Sequence, residues 1–60
     1  MLAINHRPGY ATIANGENEI QAYIFTKSEG FLVKSQYSGR DYMVNSEREA
    51  LTVINKEIQE

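Results

Sequence analysis

Few residues in this chain can move a proton or hold a metal. The one histidine, His6, lies in the run NHRPG beside Arg7 and Pro8, and there is no cysteine anywhere. No serine or cysteine is spaced from His6 to suggest an activated nucleophile, so a solvated loop histidine is the expectation. The carboxylates Glu17, Glu19, Glu29, Asp41, Glu47, Glu49, Glu57 and Glu60 fall mostly at turns or on an expected helix surface. Paired acid–base catalysis needs two carboxyl groups held in one cleft in contrasting environments. A chain of 60 residues has little room for such a cleft. The glycines Gly9, Gly16, Gly30 and Gly39 sit where turns are expected, not in a phosphate loop, and neither EF-hand nor HExxH spacing occurs. The sequence therefore predicts a protein that is not an enzyme, with no metal and no cofactor.

The elements that would carry any other function are legible. Residues 19–37, EIQAYIFTKSEGFLVKSQY, read as two strands around a turn and hold most of the large apolar side chains. Residues 1–4 are apolar and fit either an added edge strand or a loose end. Residues 5–9 hold Pro8 and Gly9 and predict a turn or loop. Residues 10–14, YATIA, predict a first strand. Asn15 and Gly16 both tolerate positive φ and suit a hairpin turn, formed by these two residues or by 15–18. Strands are expected over 19–26, 31–37 and 40–44, with turns at 27–30 and at Ser38-Gly39. Ser46 to Glu49 then fits a capping box. Ala50, Leu51, Val53, Ile54 and Ile58 recur at helical spacing. The expected fold is α+β: a single domain, 1–60, with an antiparallel three- to four-stranded β-meander and one C-terminal α-helix packed on one face.

Register decides which side is dry, because a one-residue slip exchanges the faces of a strand. A four-residue loop at 27–30 pairs Thr26 with Phe31, Ile24 with Val33, Ala22 with Ser35 and Ile20 with Tyr37. A two-residue turn at Ser38-Gly39 then sets Tyr42 against Ser35 and Val44 against Val33. The dry face becomes Ala11, Ile13, Ile20, Ala22, Ile24, Phe31, Val33 and Val44. A rival three-residue loop, 28–30, pairs Phe25 with Val33 and scatters apolar groups over both sides. The first register separates the residues better. Its opposite face carries Tyr10, Thr12, Gln21, Tyr23, Phe25, Leu32, Lys34, Gln36, Asp41 and Met43. One helix covers one face, so this second face stays open. Apolar and aromatic residues gathered there suit an interaction surface, and equally suit ordinary cross-strand pairing. The expected partner-binding residues are Tyr23, Phe25, Leu32, Lys34 and Met43.

Composition narrows the partner. Net charge is −2 with both signs mixed, whereas nucleic-acid binding usually shows a basic surplus. A domain of this size buries only about 60% of its unfolded surface. Small domains add disulfides, metal or self-association, and without cysteine self-association remains. A protein partner and a homodimer are both expected ahead of nucleic acid. No apolar run approaches a membrane span of ~20 residues, and MLAINHRPG lacks a signal-peptide pattern, so a cytoplasmic protein that does not enter membrane is expected.

Two resemblances bear on function. GRDYMVNSEREALTVINKEI resembles the end of arm-type DNA-binding domains of tyrosine recombinases, where a last strand leads into a helix opening with Ser/Thr and "EA". Those domains are usually basic and this chain is acidic. NGENEIQAYIFTKSEGFLVKSQYSGRDYMVNSEREAL resembles in pattern the small phage-encoded anti-CRISPR proteins, several of which are a few strands plus helix. That likeness implies a stoichiometric inhibitor from a phage or mobile element that sits on a host complex. It assigns no individual residues.

Overall fold

The computed structural model describes residues 2–16 and 19–59. Five strands precede one helix: β1 (Leu2–Arg7), β2 (Tyr10–Asn15), β3 (Glu19–Lys27), β4 (Gly30–Ser35), β5 (Asp41–Val44) and α1 (Glu47–Gln59). They form a single antiparallel meander in the order β1-β2-β3-β4-β5. The class is α+β, but the strands number five, not three or four. The extra one is β1, which extends through Asn5, His6 and Arg7. Pro8-Gly9 alone makes the turn, with Arg7 opposite Tyr10 and Gly9 at φ +84°. Proline at the second turn position and a positive-φ glycine at the third suit a tight reversal, so less chain is spent on the loop than NHRPG suggests.

The β3–β4 hairpin has the expected register: Ala22 pairs with Ser35, Ile24 with Val33 and Thr26 with Phe31. Its loop is shorter than four residues, because Lys27 still pairs with Gly30. Gly30 has φ +146°, and a Cβ built there would lie 2.5 Å from the carbonyl oxygen of Val44. Backbone conformation and the close approach of β5 both require glycine.

Three sequence expectations are corrected. Val44 pairs with Phe31, and Tyr42 with Val33, two residues away from the Ser38-Gly39 prediction. The cause is a five-residue connection, 36–40, tied by Gly39 N–H to Ser35 O (3.0 Å) and Ser35 N–H to Arg40 O (2.9 Å). The step is even, so each side chain keeps its face. Second, Ile20 leaves the dry side. The β2–β3 ladder pairs Ile13 with Ala22 but Ala14 with Ile20, a bulge that inserts Gln21. Beyond it the faces exchange, and Ile20 is 42% exposed. Third, Tyr37 does not oppose Ile20; it lies exposed in the 36–40 connection. The turn after β2 closes with Asn15 opposite Glu19. Glu17 and Asn18, like Met1 and Glu60, fall outside the described residues, and the expected turn over Asn15-Gly16 or 15–18 falls partly on them.

The core lies between the sheet and α1. Ala11, Ile13, Ala22, Ile24, Val33 and Val44 meet Ala50 and Ile54, with Leu2, Ile4, Phe31, Tyr42, Leu51, Val53 and Ile58 around them. Three alanines in this cluster leave room for Ile13, Ile24, Ile54 and Val33, its largest fully buried side chains. Burying one such side chain stabilises by roughly 1.5–3 kcal/mol. At the start of α1, Glu49 N–H donates to Ser46 Oγ at 3.1 Å, the half of the capping box made by serine. Glu47 and Glu49 lie in the first turn and Lys56 in the last, each matching the helix dipole.

Candidate binding face

With α1 on one side, the other side of the sheet is covered by no element among the described residues. Pairing arranges it in transverse rows. Arg7 opposes Tyr10, the Tyr10 ring lies 6.3 Å from the Phe25 ring, Phe25 opposes Leu32, and Leu32 opposes Met43. This first row crosses all five strands and is apolar after Arg7. The second row runs Asn5, Thr12, Tyr23, Lys34, Asp41. A third holds Ala3, Ala14 and Ile20.

The expected binding residues Tyr23, Phe25, Leu32, Lys34 and Met43 therefore share one face and are neighbours across three strands. Tyr10 and Met43 stand out from it, 40% and 50% exposed, while Tyr23, Phe25 and Leu32 are half-buried. The Tyr10–Tyr23 ring pair is 6.1 Å apart and tilted by 50°. Such packing fixes ring orientation without a covering layer.

Sequence reading missed the β1 end of this face. Arg7, Asn5, Tyr10, Thr12, Ala14, Ile20 and Tyr23 line a concavity of about 440 Å³. Thr12 and Ala14 are each only 4% exposed and form its floor. The signal lay in Pro8-Gly9: read as a two-residue turn, it sets Arg7 beside Tyr10.

Two polar arrangements lie on the helix side. His6 is in β1, not a loop, and its Nε2 is 2.7 Å from Glu47 Oε2. Glu57 gathers three hydroxyls: Ser35 Oγ donates to Oε1 and Ser38 Oγ to Oε2, each at 2.7 Å, and the Tyr42 hydroxyl also donates to Oε2. Partial burial pushes the Glu57 carboxyl up. The hydrogen bonds from Tyr42, Ser35 and Ser38, with the Arg40 charge, outweigh this and hold it below its ordinary value. Tyr42 is raised, first by its hydrogen bond to Glu57 and then by burial. All three hydroxyls donate to this one carboxylate, which favours its charged form. The cluster ties α1 to the 36–40 connection. Among the described residues no group of three or more His, Asp or Glu could hold a metal ion, and no helix is long and apolar enough to cross a membrane.

Compared with known proteins, the chain matches no family model and gives no significant match to a curated protein or a solved structure.

Proposed function

We propose that this chain is a non-catalytic protein-binding module that works by covering part of a partner's surface with the open face of its sheet. Tyr23, Phe25, Leu32, Lys34 and Met43 make the contact. The observation that carries this reading is the first transverse row, Tyr10 to Met43, which no element among the described residues shields. Aromatic residues and methionine are the types enriched at the centres of interfaces. Pre-packed rings on a hydrogen-bonded sheet lose little conformational freedom on binding. The same reading extends to a stoichiometric inhibitor, of the phage or mobile-element kind, that occludes a host complex.

The test is a comparison of folded proteins. The double variant Tyr23→Ala with Leu32→Ala should lose a host protein that the wild type retains on affinity capture, while its far-ultraviolet circular dichroism stays that of a folded chain. Equal capture by the folded variant would end this reading.

A further inference from the structure

The open face has a charge of its own. Among the described residues, Arg7, Lys27 and Lys34 belong to it by pairing and strand alternation, against the single carboxylate of Asp41. The chain as a whole carries −2. Among the described residues no carboxylate lies within 4.0 Å of any of these three cations. Asp41 stands across from Lys34, whereas Arg7 faces Tyr10 and Lys27 faces Gly30. The concavity at the β1 end joins charge to apolar surface. Its floor is small and buried, Thr12 and Ala14; its walls are Tyr10, Tyr23 and Ile20; and Arg7 and Asn5 stand at its rim.

We infer that this concavity receives an acidic segment of a protein partner, seating one bulky apolar side chain over Thr12 and Ala14 with a neighbouring carboxylate on Arg7. The inference rests on the binding-module reading above and names the chemistry of its partner. A planar guanidinium accepts a carboxylate through two parallel N–H donors. An apolar anchor in a desolvated pocket supplies most of the affinity at such contacts. A second copy of this chain fits worse, because two such faces brought together oppose cation to cation. A nucleic-acid strand also fits worse. Its affinity grows with the number of phosphates neutralised, and this face offers three cations on an acidic chain. The Tyr10 ring is moreover tilted by 50° to Tyr23 and by 32° to Phe25, so the three do not form one flat platform.

The experiment is selection of a displayed random-peptide library on the folded full chain, followed by titration of the enriched peptides. Enriched peptides should pair a bulky apolar residue with Asp or Glu, and added NaCl should weaken them. Arg7→Glu, at an exposed strand position, should weaken them by about tenfold, the equivalent of ~1.4 kcal/mol. Peptides without carboxylates, binding indifferent to Arg7→Glu, or no enrichment at all would overturn the inference. If Arg7→Glu has no effect while Tyr23→Ala with Leu32→Ala abolishes binding, the face stands and the acidic anchor falls. If both variants bind as wild type, both readings fall. Tighter binding of a single-stranded oligonucleotide than of any selected peptide would also overturn the inference. So would a dimer in sedimentation that Leu32→Ala dissolves.

Discussion

Ser35 Oγ donates a 2.7 Å hydrogen bond to Glu57 Oε1, joining the last residue of β4 to the helix 22 positions later. Ser35 is only 3% exposed. The same Oγ accepts from the Ser38 amide at 3.1 Å, so one buried hydroxyl links strand, connection and helix. Because the hydrogen bonds lower the Glu57 value in the folded state, its contribution is full above the ordinary carboxyl value of 4.5. It is lost as pH falls through the lowered folded value. Glu57→Gln should cost about 1 kcal/mol at neutral pH. In urea titrations the gap between variant and wild type should close under strongly acid conditions. A gap that stays constant with pH would contradict the assignment.

At Gly30 any side chain is strained, by φ +146° and by the Val44 carbonyl oxygen 2.5 Å from a Cβ built there. Gly30→Ala would carry backbone strain of about 1–3 kcal/mol and also press a methyl group on the Val44 carbonyl. The expected result is a lower urea midpoint than wild type. The loss should exceed that from Gly16→Ala, where open space surrounds the site and only the positive φ is at stake.

Ile54 is fully buried at the centre of the helix–sheet interface. Ile54→Ala should remove about 2–5 kcal/mol. At roughly 0.05–0.15 kcal/mol per residue, a domain of 60 residues has about 3–9 kcal/mol in total. The variant should therefore show a broad, low thermal transition by circular dichroism. Met43→Ala, at a half-exposed site on the open face, should leave the transition nearly unchanged. That contrast separates the face that holds the fold from the face proposed to bind.

Ser46→Ala removes the side-chain acceptor of the Glu49 amide and should cost about 1 kcal/mol. Ser46→Asp should restore most of it, since aspartate caps as well and adds favourable charge at the helix start. A loss shared equally by both variants would place the effect elsewhere.

The helix, the hairpin register and the two-sided character of the sheet were legible in the sequence. Each depends on local periodicity and on turns that tolerate few alternatives. Ile24 opposite Val33 follows from alternation once the loop length is bounded. What escaped were features set by tertiary hydrogen bonds. The 36–40 connection is closed by Ser35 and Ser38 hydroxyls reaching Glu57, which no local pattern announces. The bulge at Gln21 moved Ile20 across the sheet, and alternation alone misplaces every residue beyond a bulge. Arg7 is hidden in the sequence because Pro8-Gly9 marks a turn or loop without fixing that the strand runs up to Arg7. The concavity it rims depends on β1, which a short apolar run could only suggest.

The first strand and the last helix also touch. Leu2 shares a groove with Leu51, Thr52 and Asn55, and His6 reaches Glu47 across 41 positions. Wherever the sheet assembles before the helix docks, Ile13, Ile24 and Val33 stay bare until α1 covers them. Until that moment the sheet is greasy on both sides. Its safest interval is therefore a short one, with the thirteen-residue helix α1 acting as the lid that ends its exposure.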